Sequence, residues 1–223
     1  MSQRRMNIYQ LVINLGLNEL EEYVTEIEDF LEQRLKSFDE WFEEKTKDFS
    51  EEDKDTYGEH LSDEYHKLAD AFPTTFRSSM LLNIYSFIEK ELNQLCFHYG
   101  NRKDIRIELN DLRDSGVIRA SKYIDKVVGI NFPHELTEWK LISGVYRELR
   151  NSFAHNGGII REQGIQKMKE KISDLPVSLN ERHGELKLEK EFCYKFIKDA
   201  RIFFNEFFLD VDQSNQKLDG NEI

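Results

Sequence analysis

Residues 139–158 read WKLISGVYRELRNSFAHNGG. Apolar side chains recur at Leu136, Trp139, Ile142, Tyr146, Leu149 and Phe153, the three-and-four spacing that gives a helix one buried stripe. Asn156-Gly157-Gly158 supplies the stop, because glycine readily takes the left-handed conformation that closes a helix. The stretch predicts one amphipathic helix with Arg150 and His155 in its last two turns. Arg150 lies at the edge of the stripe, flanked by Leu149 and Phe153, where a guanidinium is costly to bury without an acceptor. His155 occupies the final turn, where the carbonyl end of the helix favours a cationic side chain. Five positions put the two roughly 140° apart around a regular helix, so they converge only if its end unwinds at the glycines.

Upstream, residues 80–100 read MLLNIYSFIEKELNQLCFHYG, part of a helix from Phe76 to Tyr99 that is apolar on most sides and suits the centre of a bundle. Its polar exceptions Ser86, Glu89 and Asn93 form a stripe at three-and-four spacing. Downstream, Ile165 to Ile172 predicts a short helix. In VSLNERHGELKLE after Pro176, Val177 and Leu179 alternate on one side of Arg182-His183-Gly184 and Leu186 and Leu188 on the other, predicting a small β-hairpin. His183 is then a loop residue. A last helix from Glu189 to about Phe208 carries Phe192, Phe196, Ala200, Phe203, Phe204 and Phe207 as a core stripe. Residues 210–223, rich in Asp, Asn and Gln, are expected to be disordered.

Before Pro73 the composition changes. Residues 19–70 hold 20 acidic and 6 basic side chains, whereas residues 100–171 carry 14 basic against 10 acidic, so the net charge of −12 belongs to an N-terminal arm. There Leu20, Val24, Ile27, Leu31, Leu35, Phe38 and Trp41 advance as a coiled-coil-like seam. A turn near Phe49-Ser50 leads into a second helix, about Glu51 to Ala71, with the stripe Tyr57, Leu61, Tyr65 and Leu68. Ser50 caps it, with acids in its first turn. The seam has two readings: a hairpin packed on the chain's own core, or a partner-binding arm. Pro73-Thr74-Thr75 is expected to break the helix and restart it. Between the two core helices, Ile105 to Arg113 and Val117 to Val128 predict two short helices with scattered basic residues.

The fold class is therefore all-α with an acidic helical hairpin and one small β-hairpin, organised as an arm at 1–72, a helical domain at 73–209 and a tail at 210–223. Three prolines and eleven glycines leave little material for a turn-rich β fold. Cys96 and Cys193 sit in apolar helical patterns as buried free thiols, which suggests a reducing compartment. Gln10 and Asn14 interrupt the apolar run of the N-terminus, no small-residue cleavage site follows and no stretch reaches the length of a membrane span, so a cytoplasmic protein without a membrane anchor is expected.

No Walker loop, dinucleotide fingerprint or nucleophile elbow is present, and no His, Cys or carboxylate cluster has metal-ligand spacing. No cofactor and no metal are expected. Arg150-Asn151-Ser152-Phe153-Ala154-His155 resembles the Arg-polar-x-x-x-His motif of HEPN domains, small all-helical domains found in many metal-independent ribonucleases, and Asn151 fits the polar position. The resemblance implies metal-free phosphodiester chemistry, in which the 2′-hydroxyl of RNA is an internal nucleophile needing a base, a cation on the phosphorane oxygens and an acid for the leaving oxygen. The likeness spans about residues 74 to 209. It implies catalytic roles for Arg150, His155 and Asn151, supporting polar roles for Glu89, Ser86 and Asn93, and a homodimer that brings two motifs to one cleft. It further implies an RNA substrate, a toxin or anti-phage setting, and an antitoxin or nucleotidyltransferase-type partner. The alternative is a non-catalytic module of the same kind that works through its acidic arm.

Overall fold

The computed structural model describes residues 7–219, with side chains through Val211. Asn7 caps α1 (Ile8–Thr46), its side-chain oxygen accepting from the Tyr9 amide at 2.9 Å. At 1.5 Å per residue this helix is about 58 Å long. Ile13, Leu17 and Val24 are buried in the main core, which therefore begins well before the expected boundary at 72/73. The distal half of α1 forms a hairpin with α2 (Glu51–His66), which Ser50 caps by accepting from the Asp53 amide. Rings hold the two together: Phe38 lies 6.1 Å from Tyr65, and Phe42 stacks on Tyr57 at 6.2 Å.

Pro73 does not break the chain. A π turn over Lys67–Ala71 joins α2 to α3 (Phe72–Arg102), giving one helical run from Glu51 to Arg102. The Phe72 amide reaches the Lys67 carbonyl, the longer hydrogen bond that accommodates a residue without an N–H in the following turn. Pro73 and Leu68 are buried there, and Lys187 pairs with Asp70. Tertiary packing thus overrides the local breaker.

The expected helix over Ile105 to Arg113 is a loop with a single 3-10 turn at Leu109–Asp111. Asp111 accepts from the Glu108 amide at 2.8 Å and the Tyr123 hydroxyl donates to the Ile107 carbonyl at 2.8 Å, so side chains take the groups a helix would need. α4 (Gly116–Lys122) continues through a π turn to Val128. α5 (Thr137–Lys140) passes through another π turn, Leu141–Tyr146, into α6 (Arg147–Asn156), which together form the expected motif helix. α7 (Ile165–Lys171) precedes β1 (Val177–Asn180) and β2 (Glu185–Leu188), an antiparallel pair in the register Val177 to Leu188 and Leu179 to Leu186.

The chain closes with α8 (Phe192–Asp219), which runs on through residues 210–219 where a disordered tail was expected. Phe192, Phe196, Ala200, Phe203, Phe204 and Phe207 are all buried on it, and Val211 prolongs the same stripe past the expected end of the helix. α1, α3 and α5 pack around this stripe. The architecture is all-α with one small β-hairpin, and no helix among the described residues is long and apolar enough to cross a membrane.

One ion pair ties arm, bundle and hairpin together. Arg77 on α3 donates to both carboxylate oxygens of Glu28 on α1, at 2.7 and 2.8 Å, and to the Leu188 carbonyl at 3.2 Å. Glu28 is buried, so removing either partner leaves a charge without solvent. Glu28→Ala should lower stability by about 3 kcal/mol in urea unfolding. Phe30→Ala, nearby on α1 but exposed, should change it by about 0.5 kcal/mol or less.

Candidate functional site

The position of the motif is set from inside the core. Tyr146 stacks on Phe196 of α8 with ring centroids 3.9 Å apart, and its hydroxyl donates to Asp199 at 2.6 Å. Burial, and then the Asp199 carboxylate, push the Tyr146 phenol well up. Lys195 supplies the opposite charge, 2.6 and 2.7 Å from the two Asp199 oxygens. Leu149 and Ser152 are buried further along α6, so its register is fixed and Asn151 and His155 are presented outward.

The exit from α6 is fixed as well. Gly157 (φ 61°) and Gly158 (φ 84°) are both left-handed, as the sequence predicts for the helix stop. The Gly158 amide donates to the Ser152 carbonyl at 3.2 Å, while the Gly158 carbonyl accepts from Leu186 at 3.0 Å. Ile160 then donates to the Gly184 carbonyl at 2.7 Å. The β-hairpin thus holds the segment that follows the motif.

On this frame Arg150 is half-buried, its guanidinium carbon 5.7 Å from the centroid of the Tyr85 ring on α3, within the range of a cation–π contact. Its Nη1 donates to Asn151 Oδ1 at 2.9 Å. Asn151 also lines a shallow groove of about 330 Å³ whose walls include Glu148, Ser152, His155 and Arg161. Arg150 is outside that lining. The structure therefore joins Arg150 to Asn151, and Asn151 and His155, one turn apart on α6, line the same groove. His155 is exposed.

The three polar residues of α3 part company. Glu89 sits near Tyr85 and Gly116: its carboxylate helps raise the Tyr85 phenol, and its Oε1 lies 3.3 Å from where a Cβ on Gly116 would stand. Ser86 is exposed. Asn93 faces a different cavity, shared with Tyr9, Phe97 and His98, and its buried Oδ1 has no hydrogen-bond partner.

The sequence reading missed Tyr85, the platform under Arg150. Burial pushes its phenol up to about 12, the Glu89 carboxylate adds to this, and Arg147 and Arg150 oppose it. Arg147, one turn before Arg150, was missed too, although its three-residue spacing from Arg150 was a usable signal. Glu148, held by Lys171, and Arg161 add one charge of each sign to the groove. Among the described residues no three His, Cys, Asp or Glu side chains gather to hold a metal ion.

No family model matches the chain, and neither does any curated protein or solved structure. The chemistry of the site rests on its own side chains. It offers a guanidinium on an aromatic platform, an amide beside it, and an accessible imidazole in a groove large enough for part of a nucleotide.

The glycine stop gives a direct test of the local geometry. A Cβ on Gly158 would lie 2.6 Å from the Phe153 ring, in addition to the left-handed backbone, whereas at Gly157 nothing lies within 4 Å. Gly157→Ala should cost about 1 kcal/mol for its backbone alone. Gly158→Ala should cost about 2 kcal/mol or more, because Phe153 must move as well. Both are read by chemical denaturation.

Proposed function

We propose that this protein is a metal-independent endoribonuclease of the HEPN type, acting as a toxin or anti-phage effector whose active site forms between two copies. The observation that carries the reading is the hydrogen bond from Arg150 to Asn151, which links the motif's cation to the groove lined by His155. An arginine fork suits the non-bridging oxygens of a phosphate, and an exposed imidazole suits proton transfer near neutral pH.

In the proposed reaction His155 of one copy takes the proton of the 2′-hydroxyl as that oxygen bonds to phosphorus. Arg150 holds the charge on the phosphorane oxygens. The bond from phosphorus to the 5′-oxygen then breaks, and His155 of the second copy protonates the leaving oxygen. The products are a 2′,3′-cyclic phosphate and a 5′-hydroxyl, with no net change in protons and no external nucleophile. Two copies are required because one chain offers one such histidine and one such arginine.

A second reading has its own observation. Arg150 already meets a ring face and an amide within the chain, as it would in a non-catalytic module that uses its acidic arm to recruit a partner.

Activity separates the two. With a broad RNA pool, His155→Ala should lower single-turnover cleavage by a factor on the order of 10² or more, the usual contribution of a general acid or base. Arg150→Lys should lose most of its activity in the chemical step, since a point charge does not replace the planar fork. EDTA should leave the wild-type rate unchanged. Folded wild-type protein that cleaves no RNA in the pool, or a His155→Ala variant as fast as wild type, would overturn the enzyme reading and favour the module.

A further inference from the structure

The first two turns of α1 turn two amides toward the bundle and leave an aliphatic stripe on the outside. Gln10 donates to Asn205 Oδ1 of α8 at 2.9 Å, and Asn14 donates to the same oxygen at 3.2 Å, so both amides point toward the bundle. Tyr9 turns to α3, its hydroxyl 2.9 Å from His98 Nδ1. Ile13 and Leu17 fill the core. Four further aliphatic residues are left facing solvent: Ile8 is 63% exposed, Leu11 42%, Val12 52% and Leu15 52%. They stand at i, i+3, i+4 and i+7, a single apolar stripe at the spacing of a helix-packing seam.

An exposed aliphatic stripe on a helix whose amides are turned inward marks an interaction surface. We infer that this stripe binds the same stripe on a second copy of the chain, as an antiparallel helix pair about a twofold axis between Leu11 and Val12. Charge selects this occupant. From Asn7 to Asn18 there is no charged residue, in a chain with a net charge of −12. A twofold contact sets a patch against itself, so a charge-free patch is where two such chains meet without like-charge repulsion.

Direction follows from what comes next in the sequence. The line of the stripe continues into Glu19, Glu22 and Glu26, all exposed. Parallel pairing would lay these acids side by side. Antiparallel pairing carries the two acidic halves away from each other and opposes the helix dipoles favourably. The stripe is also symmetric about its centre: Ile8 meets Leu15 of the second copy, and Leu11 meets Val12. The contact uses none of the motif residues, so it stands or falls separately from the ribonuclease reading.

The test uses the full chain in two measurements. In sedimentation velocity at micromolar concentration, wild type should sediment with at least twice the 26.6 kDa of one chain. Leu11→Glu with Val12→Glu should halve the wild-type mass while keeping its helical circular dichroism, because neither side chain is buried. For direction, cysteines are introduced on the stripe, the native Cys96 and Cys193 being buried. Leu11→Cys should form a disulfide between copies, and a mixture of Ile8→Cys and Leu15→Cys chains should cross-link as well. Leu15→Cys alone should not, since two copies of that residue sit about 10 Å apart along the paired helices, beyond the reach of a disulfide. A monomeric wild type, a double variant with unchanged mass, or cross-linking of Leu15→Cys as readily as Leu11→Cys would each overturn the proposal. The last two would point to a different occupant or a parallel contact.

Discussion

Asp199 is a carboxylate held inside the core, and much of the arrangement near the motif depends on its being satisfied. Tyr146 donates to it from the motif helix and Lys195 neutralises it from its own helix. A buried anion tolerates few geometries, because every hydrogen bond it loses goes uncompensated by water. The Tyr146 to Phe196 stack adds a second constraint at the same point. Together they set both the rotation and the axial position of α6 against α8, so that Arg150, Asn151 and His155 are presented to the surface by a rigid support.

The same economy recurs at Glu28 and Arg77. That pair lies between α1, α3 and the carbonyl of Leu188 on β2, and it draws the two-stranded hairpin against the bundle. The hairpin in turn takes hydrogen bonds from and to residues 158–160. Two small polar clusters, one at Tyr146 midway along the motif helix and one where β2 meets α1 and α3, therefore help fix that helix and the place where its chain leaves. Apolar packing supplies the bulk of the stabilisation and these clusters supply its uniqueness.

Much of this was legible in the sequence, for identifiable reasons. The motif helix, its glycine stop, the aromatic stripe from Phe192 to Phe207 and the β-hairpin of Val177 to Leu188 all follow from local pattern, whereas the register of that hairpin does not. Pro73 misled because its usual effect is local while its remedy, a π turn packed around Leu68 and Pro73, is tertiary. Ile105 to Arg113 has helical spacing, yet Asp111 and Tyr123 capture its backbone groups from outside that pattern. α1 has apolar residues all round its first turns, so spacing gives no clue that Ile13 and Leu17 go in while Leu11 and Val12 stay out. At the site, Arg150 and Asn151 are neighbours in the chain and could be read together. Tyr85 was hidden because it comes from a helix far away in sequence.

The unbroken helical run through Lys67–Ala71 has a mechanical consequence. A flexible linker would absorb any torque on the acidic hairpin, but hydrogen-bonded helix resists twisting, and the π turn keeps the ladder continuous past Pro73. Glu51 to Arg102 spans about 78 Å at helical rise, with the hairpin at one end and Tyr85 beyond its midpoint. A twist applied at the arm would therefore be resisted along the whole run, up to the ring on which the Arg150 guanidinium rests, instead of being lost in a hinge.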